Sequence, residues 1–225
     1  MSFKLKALGL SFLAALAVSS VAVMNAAANG EGHFESDVDH TIIKGSEAGA
    51  HTVHLIDKSV AGEIGCDVDN YSATTTTKTV TSITVTASYA DCYTTKEEPN
   101  KDEIDVTMNG CTYTFTVAKN SGNLTEQTAH LLCPIHAGTQ TKVEVHHPAC
   151  TITIPPQTIN TGITYTRVTE NGKHAITMHV DAEFAIERHG LCRFVLPKNG
   201  VGTLFGTVTV QGFNTTNEPV NITHT

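Results

Sequence analysis

The stretch I-D-V-T-M-N-G-C-T-Y-T-F-T-V, residues 104–117, alternates apolar and polar positions on both sides of a central Asn-Gly. Ile104, Val106 and Met108 come before the pair, and Cys111, Tyr113, Phe115 and Val117 follow it. A period of two is the signature of a half-buried strand. Asn-Gly suits a two-residue type I′ turn, because both central positions need positive φ. The expectation is a hairpin in which Met108 faces Cys111, Val106 faces Tyr113 and Ile104 faces Phe115.

The same logic extends outward. Asn171-Gly172 is a second type I′ signal, setting Ile163 against Val180, Tyr165 against Met178 and Glu170 beside Lys173. That strand runs on through Ala182, Phe184 and Ile186. Between Thr81 and Tyr89, Ile83, Val85 and Ala87 alternate with Ser and Thr, β-formers suited to a wet face. Closing the turn at 119–123 symmetrically puts Cys111 opposite Cys133, Tyr113 opposite Leu131 and Phe115 opposite Ala129. Val143 and Val145 are set to face Ile154 and Ile152, and Pro155-Pro156 ends that strand because proline cannot donate to a ladder. Further strands are expected at 51–56, 60–66, 191–196 and 203–210. The polar segment 67–78 and the charged segment 94–103 read as loops. About eleven short strands, with turn signals roughly every ten residues and no amphipathic helix, predict an all-β fold. The expected architecture is an antiparallel β-sandwich or barrel of hairpin-linked strands stapled by disulfides.

The N-terminus carries Lys4 and Lys6, an apolar run over 7–24 and Ala26-Ala27-Ala28. This is the order of a secretory signal peptide over 1–28, with a retained membrane anchor as the alternative. Removing 28 of the 225 residues leaves 197, and loss of the two lysines takes the net charge from −8 to −10. The expected layout is a flexible arm over 29–49 with a short strand near 41–44, a β domain over 50–213, and a C-terminal tail over 214–225. Two sub-domains dividing near 120–123 are the alternative. With no Lys/Arg cluster and no membrane span after signal removal, neither nucleic acid nor a membrane surface is the expected partner. Trp is absent and aromatics are 6% of the chain, which weakens sugar- or base-stacking roles.

All six cysteines, Cys66, Cys92, Cys111, Cys133, Cys150 and Cys192, follow the signal. An even count behind an export signal implies disulfides and a secreted, extracellular or cell-envelope location. The favoured pairing is Cys66–Cys92, Cys111–Cys133 and Cys150–Cys192. The rival has Cys133–Cys150 and Cys111–Cys192.

The motifs G-H-F-E-S-D, M-N-G-C-T-Y-T-F, L-L-C-P and C-T-I-T-I-P-P-Q, in this order, resemble a family of secreted actinobacterial proteins. The resemblance implies export and disulfides, and it brings no catalytic residues with it.

Twelve histidines are unusual for this length. His179, Asp181 and Glu183 share one polar strand face, a spacing that can hold zinc but more often forms a solvated face. His51 and His54 point to opposite sides of a strand, as do His146 and His147. His130, His136, His174 and His189 fall near strand ends. The pairs Asp37/Asp39 and Asp67/Asp69 lack the glycine and distal glutamate of a calcium loop. Asn70, Asn123, Asn214 and Asn221 sit in glycosylation sequons. No nucleophile elbow, zinc-protease helix, phosphate loop or dinucleotide fingerprint is present, so no catalytic residue and no cofactor are expected. The sequence therefore reads as a structural or adhesive surface protein with a cell-surface, extracellular protein or glycan partner. A ligand- or metal-binding module is the alternative, and a secreted hydrolase comes after it.

Overall fold

The computed structural model describes residues 32–47, 54–56, 63–94, 104–117, 127–147, 150–159, 162–190 and 200–225. Residues 1–28, the loop expected over 95–103, the turn at 119–123, the strand at 191–196, and the residues Asn123, His51 and Cys192 lie outside them. Every regular element among the described residues is a strand. The first six are β1 (Phe34–Ser36), β2 (Ile42–Glu47), β3 (His54–Ile56), β4 (Glu63–Thr74), β5 (Thr79–Val80) and β6 (Ser82–Thr94). Next come β7 (Asp105–Thr107), β8 (Thr112–Val117), β9 (Gln127–Leu132), β10 (Ile135–His136), β11 (Thr139–Gln140), β12 (Val143–His147) and β13 (Cys150–Ile154). The chain ends with β14 (Gln157–Ile159), β15 (Ile163–Glu170), β16 (Lys173–Ala185), β17 (Glu187–Gly190), β18 (Val201–Phe213), β19 (Pro219–Val220) and β20 (Ile222–His224).

The main sheet is antiparallel and runs β14-β9-β8-β6-β4-β2-β18-β16-β15, with β3 and β19 attached to it. β2 and β3 share one lane between β4 and β18: β2 pairs with Ser46–Asn70 onward, and β3 pairs lower down at Leu55–Ile64. The sheet curls until its ends approach. Gln157 on β14 receives the Ala185 amide at 2.6 Å and donates to the Ala185 carbonyl at 3.0 Å, tying one edge to β16 near the other. A second sheet, β17-β13-β12-β7, packs at one end, and a small sheet, β20-β1-β5, closes the opposite end.

The long strands serve two apolar cores. β4 gives Tyr71 and Ala73 to the first core and Ile64 and Cys66 to the second, and β16 likewise divides Ile176, Met178 and Ala182 from Phe184. Burying each large aliphatic side chain contributes about 1.5–3 kcal/mol, so these shared strands tie both cores into one folding unit. Both cores draw on residues before and after 120–123, so a sequential division there does not describe them.

Much of the register matches the sequence reading. Tyr113 pairs with Leu131 and Phe115 with Ala129; Val143 pairs with Ile154 and Val145 with Ile152; Ile163 pairs with Val180 and Tyr165 with Met178. Cys66 pairs with Cys92 across β4 and β6 and is bonded to it, and Cys111 is bonded to Cys133. This rules out the rival set of bridges. Cys150 is also disulfide-bonded. Disulfides of this kind belong to an oxidising, extracellular-type environment.

Three expectations are corrected. The Asn109-Gly110 turn forms, with φ of 49° and 77° and the Cys111 amide donating to Met108 at 2.8 Å, but it does not join a hairpin. β7 instead pairs with β12, Val106 lying opposite Val145, while β8 pairs with β6 and β9. The Cys111–Cys133 bond holds β8 on β9, the Asn109 side chain donates to the Lys142 carbonyl at 3.0 Å, and Ile104 buries in the second core. The turn is thus a crossover between sheets.

Residues 67–74, read as a loop, continue β4, because Tyr71 and Ala73 face the core between exposed Ser72 and Thr74. The expected strand near 41–44 is β2, but the rest of 29–49, read as a flexible arm, contains β1, and 214–225, read as a tail, contains β19 and β20. Phe34, Ile43, Val220 and Ile222 are buried in the fold, which anchors both segments.

Candidate functional site

The first core is not filled. Inward-facing Tyr71, Ile83, Val85, Ile176, Met178 and Val210 surround a cavity of about 50 Å³ that opens to solvent at one side. The wall is apolar almost throughout. Alternation places Tyr71, Ile83 and Val85 there, each beside exposed polar positions; on β16 and β18 the neighbouring Thr177 and Gln211 are buried as well. Phe34 and Ile222, from β1 and β20, cover one end. The exposed residues of the wall, Glu35 and Lys78, are carried by β1 and the approach to β5 and mark where the space meets solvent.

Hydrogen bonds fasten this cover. His33 and Thr225 exchange backbone bonds of 2.8 and 2.9 Å, and the Ser36 amide donates to Lys78 at 2.8 Å. The Asn221 side chain donates to the Asp37 carboxylate at 2.7 Å while its own oxygen accepts from the His174 amide at 2.8 Å. The chain's first and last described strands therefore form one lid, latched to the β15–β16 turn region.

Hydroxyl groups interrupt the apolar lining. Those of Ser36 and Thr41 are hydrogen-bonded to each other, whereas Thr75 Oγ1 and the Tyr165 hydroxyl, on two residues of the same wall, are buried with no hydrogen-bond partner among the described residues. An unsatisfied buried hydroxyl costs about 1–3 kcal/mol, so two residues of this wall each carry such a penalty. Burial raises the Tyr165 pKa far above the ordinary phenol value, keeping the group neutral and able to donate. The His224 ring lies 5.5 Å from the Tyr165 ring, and its Nδ1 is also buried without a partner. Desolvation, then the charge of Arg167, lowers the His224 pKa, so its imidazole stays neutral.

Two further small cavities lie deeper. One of about 30 Å³ shares the wall residues Tyr71, Phe115 and Met178 with the first. It shares Tyr113, Ile159 and Leu204 with another of about 40 Å³ in the second core. Tyr89 stands at this junction, its hydroxyl donating to that of Tyr113 at 3.4 Å and its ring edge-on to Tyr71 at 6.1 Å. Burial, with Tyr113 and Tyr71 close by, raises the Tyr89 pKa well above its ordinary value. Three apolar cavities thus lie in succession, neighbours sharing wall residues, with the Tyr89 and Tyr113 hydroxyls between the two cores.

The residues singled out in the sequence lie elsewhere. His179, Asp181 and Glu183 are exposed on the outer face of β16, and His179 Nδ1 is hydrogen-bonded to Thr207 Oγ1 at 2.9 Å. Among the described residues, no group of three or more His, Cys, Asp or Glu side chains is placed to hold a metal. His146 bonds Glu144 at 3.1 Å and His130 bonds Thr158 at 3.0 Å, both at the surface. His136 and His174 are exposed. Asp37 serves the lid latch, and Asp39 accepts the Lys78 amide at 3.0 Å. Cys133, three residues before His136, is engaged in the disulfide expected for it.

Sequence reasoning placed Tyr165 inward but missed the role of Phe34, Thr75 and the terminal strands. The signal available was the F-E-S and I-T-H alternation at the two ends of the chain. No family model, no curated protein and no solved structure matches this chain.

Proposed function

We propose that this chain is a secreted binding protein that takes a small apolar molecule into the cavity beneath the terminal lid. One observation carries the reading: an apolar interior space with two buried, unpartnered hydroxyls on its wall. Well-packed domains leave few voids larger than a water molecule, and they pair their buried polar groups. Both departures fall at one place, under a cover only two short strands deep. Ligand sites of this kind are concave and mostly apolar, with a few placed polar groups. The signal-like N-terminus and the disulfides support export, and the resemblance to secreted actinobacterial proteins agrees with it.

The test is a fluorescence titration with N-phenyl-1-naphthylamine. Saturable binding of one probe per chain, abolished by Val85→Phe with the unfolding temperature retained, is the expected result. Non-saturable binding, or binding indifferent to Val85→Phe, contradicts the reading.

A structural or adhesive role remains the second reading, and it too has its observation. Ile135 is 67% exposed and Leu132 51% exposed, flanking the bonded Cys133 at the β10–β11 hairpin. Such a pair on a stapled hairpin suits contact with a second copy of the chain. Concentration-dependent association lost in Ile135→Lys supports this role; a monomer at every concentration argues against it.

A further inference from the structure

The wall of the first cavity carries information about what enters it. Its charged members, Glu35 and Lys78, are of opposite sign and sit at the exposed edge, so neither dominates the interior. Glu35 is already engaged with His33 at 2.9 Å. Of the hydroxyls on the wall, those of Ser36 and Thr41 bond each other and that of Tyr71 is engaged with Tyr89, which leaves Thr75 Oγ1 on the wall beyond β4 and the Tyr165 phenol on β15 without partners. Each can donate or accept, and neither carries charge. A carboxylate or ammonium drawn into this lining would lose its hydration with no buried counter-charge to replace it. A hydrocarbon would leave both hydroxyls unsatisfied.

We propose that the ligand is an uncharged single-chain amphiphile, an alkyl chain ending in a hydroxyl, with Thr75 and Tyr165 as hydrogen-bond partners of that head. The proposal rests on the binding reading above. The chain extends along the apolar series past Met178 and Phe115, whose side chains wall both the first cavity and the next. The head satisfies the two hydroxyls together, one donating to it and one accepting from it. Tyr165 is the stronger partner, since its neutral phenol is the better donor.

The experiment measures dissociation constants of octan-1-ol, octane and octanoate by displacement of N-phenyl-1-naphthylamine. It uses the wild type and the variants Tyr165→Phe, Thr75→Val and Lys78→Ala. Comparing each ligand with itself across variants removes the difference in hydrophobicity between ligands. Tyr165→Phe is expected to weaken octan-1-ol about tenfold, the worth of one buried hydrogen bond, and to leave octane within about twofold. Thr75→Val is expected to act in the same direction by a smaller factor. Both remove an unpartnered hydroxyl, so neither is expected to lower the unfolding temperature of the ligand-free protein. Equal effects on octan-1-ol and octane overturn the proposal, as does octanoate binding tightest and weakening in Lys78→Ala. In those cases the binding reading stands. Failure of the probe to bind the wild type at all sinks the binding reading itself.

Discussion

The rings of Phe34 and Tyr165 meet edge to face, centroids 5.6 Å apart and planes at 65°, joining the first described strand to the last strand of the main sheet. This contact roofs the cavity, because Phe34 is buried at 6% exposure and covers the wall that Tyr165 completes. Phe34→Ala is expected to cost about 3–5 kcal/mol of stability, as for other buried aromatic truncations. Urea unfolding measures this. The same variant leaves the roof open, so stopped-flow mixing is expected to show faster probe entry.

Two tyrosines give the protein a distinct alkaline limit. Burial raises Tyr165, and burial with Tyr113 and Tyr71 nearby raises Tyr89, above the value of 10.0 expected in the unfolded chain. The unfolded state therefore loses protons first as pH rises, and stability that is complete below about pH 10 falls above it. Absorbance titration at 295 nm is expected to show at least two of the five tyrosines, Tyr89 and Tyr165, ionising only as the fold is lost. Smooth ionisation of all five before unfolding would contradict the buried placement.

Gly162 is fixed by the main sheet. Its φ is +80°, its carbonyl accepts the Asp181 amide at 2.6 Å, and a Cβ built there would fall 1.6 Å from the Asp181 oxygen. Gly162→Ala meets both backbone strain and a clash with main-chain atoms that cannot swing away. A loss of about 3 kcal/mol or more is expected, read as a lowered denaturation midpoint. A variant as stable as the parent would mean the β15–β16 pairing begins elsewhere.

The bridge between Cys111 and Cys133 pins the strand after the sheet crossover to β9. Replacing both cysteines with alanine is expected to cost about 3 kcal/mol, mostly by freeing the unfolded chain. Calorimetry of the double variant checks the cost. A non-reducing peptide map is expected to return the 66–92 and 111–133 linkages.

Where burial and turn chemistry agree in a sequence, register could be read directly. Asn171-Gly172 and the alternation from Ile163 to Phe184 are one case, and the pairing of Tyr113 with Leu131 is another. Asn109-Gly110 carried the same local signal yet joins two sheets, because partner choice was decided by Val145 and Cys133, far away in the chain. The segment 67–74 hid its strand behind Asp, Asn and Thr; among residues 70–74, Tyr71 and Ala73 are the buried ones. The cavity was illegible for a different reason. Alternation says which side chains point inward, but whether they fill the interior depends on the curl of the sheet. That Thr75 and Tyr165 lack partners is likewise a property of the assembled walls.

Occupancy of the interior is tested most directly at Met178, whose side chain lines the first cavity; Met108, the other methionine among the described residues, is not on that wall. With carbon-13-labelled methionine methyls, titration with octan-1-ol is expected to shift the Met178 signal saturably, at one ligand per chain. A Met178 signal unmoved at saturating octan-1-ol, or shifted no more than that of Met108, would contradict binding inside the fold.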